Sequence, residues 1–349
     1  METTPVRWTR FRVPICFLVG LFVLDGAVRL NARLWDGYDP NEYRARLDRC
    51  RGRAWDLVVL GGSPVSEGVD PALLRPLTWR NQIIRRVYNL GLPGGTASDF
   101  WHALKNGVTF PPKLVVYGIT ASDLNDGRNE LGGPADLMGP DDLARWLAER
   151  PGAAEWALRQ YGWARLERGW GLYQYRHGIR LWAAHRLGPG LFPAAAAEAR
   201  ANRRHSAALA RDHGFAPQAT FQQMRYSHTK AVGGMVAPFR FLDGFRLGHH
   251  LACVHRIRAW AEYHGSDLVL VDMPVSADLE ARHADAFARY RAVLRELEDE
   301  HGFRVLHGDR AAAGLDDDHF ADQIHLNAWG VERFGHWLRV RLAYAGVGR

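Results

Sequence analysis

Two stretches of the chain, 57–126 and 250–345, alternate short apolar runs with helix-like segments, and this alternation limits the fold more than any other feature. Strands buried on both faces of a parallel sheet read as continuous apolar runs rather than as every second residue. Five such runs are present: 57–60 (LVVL), 86–90 (RVYNL), 113–119 (KLVVYGI), 267–271 (DLVLV) and 303–306 (FRVL). Between them the sequence predicts helices beginning at Asp70-Pro71 and covering 98–105, 251–263 and 277–297, with a last helix capped by Asn327. No internal repeat is present. The expected architecture is one α/β domain with a parallel sheet.

Residues 130–248 break the rhythm and read as a helical insertion between the third and fourth strands. Within it, 141–186 holds five of the thirteen tryptophans, interleaved with Arg165, Arg168, Arg176 and Arg180. Such a stripe packs as helix core or suits a membrane surface. Residues 224–235 (MRYSHTKAVGGM) read as a loop.

The N-terminus adds a separate constraint. Arg7, Arg10 and Arg12 precede the apolar run 13–24 (VPICFLVGLFVL), which ends at Asp25. Twelve apolar residues fall short of the ~20 that span a bilayer, and no clear small-x-small cleavage site follows. Extended to about residue 35, the segment is expected to be an uncleaved signal anchor with its arginines inside. A cleaved signal and an edge helix are the competing readings. On the anchor reading, 1–35 comprises a cytoplasmic N-terminus and a membrane helix, and 36–349 works outside the cytoplasm.

Net charge +7 arises almost wholly from arginine, since lysine occurs only at 105, 113 and 230. Without a zinc-ligand spacing, a helix-turn-helix pattern or a basic run, that charge does not indicate nucleic-acid binding. Cys50 and Cys253 either form a bridge outside the cytoplasm or remain thiols. His249-His250 are adjacent rather than spaced for one helix face and have no acidic neighbour in sequence, so no metal site is expected. GLPGG after the second run lacks both the P-loop lysine and the dinucleotide spacing, and no cofactor is expected.

Four segments fall just past the carboxyl ends of the expected strands or before the last helix, where a parallel sheet collects functional groups. They are Gly61-Gly62-Ser63, the 89–96 block NLGLPGGT, the 118–123 block GITASD, and Asp322-Gln323-Ile324-His325. Acyl transfer needs a nucleophile, a base, a carboxylate to orient the base, and donors for the oxyanion. Ser63, His325 and Asp322 can fill the first three roles, and the backbone N–H groups of Ser63 and Gly94 the fourth. Taken singly, each residue is a turn or cap residue; their order and placement carry the reading.

The blocks GGSPVSEG, NLGLPGGT and DQIHLN, in that order on an α/β chain, resemble the SGNH/GDSL hydrolases. The resemblance covers roughly 55–126 and 250–345. It implies a three-layer flavodoxin-like fold and serine esterase or O-acyltransferase chemistry. Ser63 is then the nucleophile, Asp322 and His325 complete the triad, and Ser63 and Gly94 supply oxyanion donors. The chain departs from the family pattern twice. Gly62 stands where an aspartate is usual, and the third block offers Ser122 where an asparagine is expected. Ser122 can donate one hydrogen bond, and Asn125 can reach the site if its loop bends.

With the anchor, the chain resembles membrane-anchored, extracytoplasmic members that modify cell-envelope polysaccharides alongside a membrane-bound O-acyltransferase. The implied partners are an acyl donor and an envelope glycan acceptor. Two alternatives remain open: a non-catalytic glycan-binding or envelope assembly protein, and a soluble lipid esterase or thioesterase.

Overall fold

The structure is a computed structural model describing residues 9–36, 38, 42–127, 138–150, 152, 154–188, 192–231 and 242–347. Along the chain run α1 (Thr9–Leu30), α2 (Ala32–Asp36), α3 (Glu42–Cys50), β1 (Leu57–Gly61), α4 (Ser63–Gly68), β2 (Leu77–Trp79), β3 (Gln82–Ile84), β4 (Val87–Gly91), α5 (Ala97–Gly107), β5 (Leu114–Ile119) and α6 (Ala121–Leu124). There follow α7 (Pro140–Glu149), α8 (Ala154–Gly169), α9 (Gly171–Gln174), α10 (Arg176–Leu187), α11 (Pro193–Arg211), α12 (Ala219–Gln223) and α13 (Tyr226–Ala231). The chain closes with α14 (His249–Tyr263), β6 (Asp267–Asp272), α15 (Ala277–Arg282), α16 (Ala284–Asp299), β7 (Arg304–Leu306) and α17 (Ala328–Val347). Two compact units are present, Met1–Asn41 with Arg159–Ala207, and Glu42–Leu158 with Ala208–Arg349.

The larger unit is built on a five-stranded sheet in the order β4-β1-β5-β6-β7, every pair parallel. Counted among these strands alone the order is 2-1-3-4-5, that of flavodoxin-like sheets. Alternate side chains enter opposite cores. Val58, Leu60, Tyr88, Leu90, Val115, Tyr117 and Leu270 pack with α5, α14 and α16. Leu57, Val59, Val87, Leu114, Val116, Val269 and Val271 pack on the other face with α17. Each fully buried Val or Leu contributes about 1.5–3 kcal/mol, so helices cover both faces and the sheet forms the middle layer.

All five expected strands form, within a residue or two at their ends. Several local expectations are corrected. No helix starts at Asp70-Pro71; Asp70 instead accepts from the Ala72 N–H at 2.7 Å in a turn, and an antiparallel hairpin, β2 with β3, follows. Arg80 and Asn81 take positive φ (45° and 62°) at its tip, the requirement of a two-residue hairpin. The expected helix over 277–297 breaks at His283 into α15 and α16. The expected loop at 224–235 contains α13, and residues 232–235 lie outside the described ones. Asn327 does cap the last helix, accepting from the Gly330 N–H at 3.1 Å.

The smaller unit is helical. Tyr38, Leu181 and Ala199 form its small core, and Trp35 meets Trp182 edge-on at 5.0 Å. Among the described residues no helix is long and apolar enough to cross a membrane. In α1 the apolar run is closed by Asp25 and Arg29, which pair at 2.8 Å. Residues 1–8 of the expected cytoplasmic segment, with Arg7, and residues 130–137 of the expected insertion lie outside the described ones.

Candidate active site

Gly61 of β1 stands in register with Gly91 of β4 and Gly118 of β5, so a row of glycines crosses the carboxyl ends of three adjacent strands. The row makes room for α4. A Cβ on Gly61 or Gly118 would come within 2.3–2.4 Å of Val65 Cγ2, and one on Gly91 within 2.5 Å of the Ser66 nitrogen. Gly61 also takes φ of +149°, which other residues rarely adopt. Bare backbone at these positions lets α4 lie directly across the strand ends and start at the residue the alternation singled out, Ser63. Asn89 fixes the helix: its Nδ2 donates to the carbonyls of Val65 (2.8 Å) and Val69 (2.7 Å), while its Oδ1 accepts from the Gly91 N–H.

Ser63 is half-buried and follows β1 between β4 and β5, the topological switch point where doubly wound sheets bind ligands. Three of the four sequence blocks meet here. A Cβ on Gly62 would lie 3.6 Å from Asp123 Oδ1 and 3.9 Å from the Gly95 carbonyl, ordinary contact distances. The position has room for a side chain, and the Asp123 carboxylate already borders it. Asp123 Oδ2 accepts from the Thr120 N–H at 3.0 Å and fixes the third block.

The Asp322 turn orients the His325 imidazole. Asp322 Oδ1 accepts from the N–H groups of Ile324 and His325, each at 2.9 Å, and its Oδ2 meets His325 Nδ1 at 2.8 Å. Burial raises the Asp322 pKa, but the His325 contacts and the two backbone N–H bonds outweigh it and hold the carboxyl below its ordinary value. The opposite nitrogen, His325 Nε2, is buried and has no hydrogen-bond partner. Phe221 of α12 stacks on the imidazole with ring centroids 4.7 Å apart. The same segment reaches α4, because the Gln218 N–H donates to Glu67 at 2.7 Å. A Cβ on Gly68, the last residue of α4, would meet Leu326 at 3.5 Å, so α4 and the His325 turn share one wall.

Ser63 Oγ and His325 Nε2 are not hydrogen-bonded to each other. Catalytic hydrogen bonds commonly tighten only with substrate in place. Among the expected oxyanion donors, Gly94 is exposed on a turn at φ +75°. Ser122 Oγ shares a 2.7 Å hydrogen bond with Thr120 Oγ1. Asn125 is fully buried, and its Oδ1 accepts from the N–H groups of Gly127 and Arg246, both at 2.9 Å.

Sequence reasoning gave no role to Asn89, Glu67 or Phe221. Asn89 was signalled by its place in the NLG block; Phe221 had no signal, since it reaches His325 from another part of the chain. His249 is also corrected. It does have acidic partners, because Glu149 bonds its Nδ1 and Asp126 accepts from its backbone N–H at 2.7 Å. Its Nε2 lies 3.2 Å from Ser98 Oγ, at the first turn of α5. Burial pushes the His249 pKa down against the raising effect of Glu149. With Ser98 and His249 both buried, this second hydroxyl–imidazole–carboxylate chain braces α5, α7 and α14 rather than facing a substrate.

Cys50 and Cys253 are buried free thiols, not a bridge. Burial pushes both up to about 12, so neither is a nucleophile near neutral pH. Among the described residues no group of three or more His, Cys, Asp or Glu side chains is arranged to hold a metal ion. No family model and no curated protein matches the chain.

Proposed function

We propose that the protein is a membrane-attached serine esterase or O-acyltransferase of the SGNH type that modifies a cell-envelope polysaccharide through an acyl-Ser63 intermediate. The observation that carries this reading is the Asp322–His325 pair, whose outer nitrogen is buried and unpartnered in the wall it shares with α4. An imidazole oriented by a carboxylate on one nitrogen and open on the other is what a general base needs.

Ser63 Oγ attacks the carbonyl of an acyl ester while its proton passes to His325 Nε2. The oxyanion takes hydrogen bonds from the N–H groups of Ser63 and Gly94 and from the Ser122 hydroxyl. As the tetrahedral intermediate collapses, the donor's alkoxide leaves with the proton from His325, and the acyl group stays on Ser63. A glycan hydroxyl, or water in hydrolysis, then gives its proton to His325 and attacks the acyl-serine, and Ser63 Oγ leaves, taking that proton back from His325 Nε2. No cofactor enters these steps. The acyl donor, the glycan acceptor and an accompanying membrane-bound O-acyltransferase are the partners, and the work is done on the extracytoplasmic side of a cell membrane.

The test is labelling by a fluorophosphonate. Wild type acquires one adduct at Ser63, and Ser63→Ala and His325→Ala acquire none. Folded wild type that stays unlabelled overturns the reading. One observation favours a glycan-binding or assembly protein instead: the Ser122 hydroxyl is shared with Thr120 and the Asn125 carbonyl is tied to its own loop. A binder keeps its cellular phenotype in Ser63→Ala; an enzyme loses it.

A further inference from the structure

The smaller unit exposes apolar surface that water does not favour. From Pro14 to Leu24 every residue of α1 but Leu21 is exposed, including Phe17 (65%), Phe22 (75%) and Val23 (67%). At 100° per residue, positions 17, 18, 19, 22, 23 and 24 reach all sides of the helix. A protein groove covers one stripe of a helix, whereas a bilayer solvates every side at once. The occupant of this surface is therefore lipid.

The apolar stretch ends where a polar and aromatic collar begins. Asp25 Oδ1 accepts from the Leu172 N–H at 2.8 Å, and Arg29 Nη2 donates to the Arg168 carbonyl at 3.1 Å. These bonds hold the end of α8 and the start of α9 beside α1, one residue past Leu24. On those elements Trp163 and Trp170 are exposed, Trp163 stacks near Tyr173, and the Arg176 guanidinium lies 3.8 Å over the Tyr173 ring. Exposed indoles beside a phenol and an arginine are the chemistry of the headgroup region. Residues 159–207 hold nine arginines against two glutamates, a balance that favours anionic lipid.

We infer that α1 enters an anionic phospholipid bilayer through 14–24, and that Trp163, Trp170 and Arg176 on α8–α10 form a collar seated at its headgroups. At 1.5 Å per residue the apolar stretch runs about 16 Å from the Asp25 level, which carries Phe17 among the acyl chains and leaves the Asp25–Arg29 pair outside them. This inference rests on the membrane attachment proposed above and adds the surface and the lipid class.

The test reconstitutes the full chain into vesicles of phosphatidylcholine, alone or mixed with phosphatidylglycerol, with and without ring-free brominated acyl chains as a short-range quencher of tryptophan. Wild type floats with both vesicles, more completely with phosphatidylglycerol, and brominated lipid dims its emission. The double variant Trp163→Ser/Trp170→Ser, altered only at exposed positions and checked by circular dichroism, still floats but loses most of that quenching. Equal quenching in the double variant overturns the collar while leaving attachment intact. Equal flotation with both lipids overturns the anionic preference. Failure of wild type to float overturns the collar and the attachment together. Ser63 labelling, run in detergent, reads the catalytic proposal separately from all three.

Discussion

The glycine row makes Gly91→Ala a sharp test of how Ser63 is positioned. The new Cβ would lie 2.5 Å from the Ser66 nitrogen, 2.7 Å from its Cα and 2.9 Å from Asn89 Oδ1. Two of those atoms are backbone, so no rotamer relieves the clash. Opening the shortest contact to 3.4 Å moves α4 by about 0.9 Å. Ser63 rides on that six-residue helix and moves with it. A displacement near 1 Å at a reacting group costs about a hundredfold in rate, and overpacking of this kind costs about 1–3 kcal/mol of stability. The assay measures the second-order rate of fluorophosphonate labelling together with the melting temperature. Gly91→Ala is expected to label about a hundredfold more slowly and to melt several degrees lower. Gly62→Ala is the control: its φ is −78° and its Cβ meets nothing closer than 3.5 Å, so it keeps the wild-type melting temperature. Wild-type labelling and melting in Gly91→Ala would refute the claim that bare backbone at the strand ends positions α4. A lower melting temperature with unchanged labelling would show that Ser63 does not depend on α4.

Asp322→Asn keeps an acceptor for the Ile324 and His325 N–H groups but turns an N–H toward His325 Nδ1, fixing the wrong tautomer; labelling is expected to fall by about four orders of magnitude with little loss of stability. Because the folded Asp322 pKa is lowered, the hydrogen bonds to its ionised carboxylate stabilise the protein above the ordinary aspartate range and are lost as pH falls through the lowered value, an acid dependence that urea melts of wild type show and those of the variant lack. Asp272 runs the other way. Burial raises its carboxyl to about 6 despite the 2.7 Å hydrogen bond from Tyr290, so its stabilising effect is full below about pH 4 and lost as pH rises through 6. Asp272→Asn should remove that fall, about 1–1.5 kcal/mol between pH 5 and 8, in urea melts, and an identical pH profile in both proteins would disprove it. A maleimide should reach buried Cys50 and Cys253 only after unfolding, as mass spectrometry of the modified peptides reports.

The strands were legible because burial on both faces leaves only apolar residues, as in Leu57–Leu60 and Leu114–Val116. The Asp322–His325 pair was legible because both partners lie in one tight turn, where three residues of separation bring carboxylate and imidazole together. The β2–β3 hairpin was not. Its strands are three residues long, and its turn, Arg80-Asn81, carries no glycine to mark the positive φ values. Nor was α4 legible: six residues between glycines read as a turn, and only the register of Gly61, Gly91 and Gly118 shows that a helix fits over them. The sequence by itself determined the parallel α/β framework, the order of the segments at its strand ends and the aspartate–histidine turn, since local periodicity and short separations specify these. Only the tertiary structure decided that Asn89 holds α4, that Phe221 covers the imidazole, that Glu149 reaches His249 from 100 residues away, and that two cysteines stay apart. Contacts between distant parts of a chain depend on how the layers pack, and no local pattern encodes them.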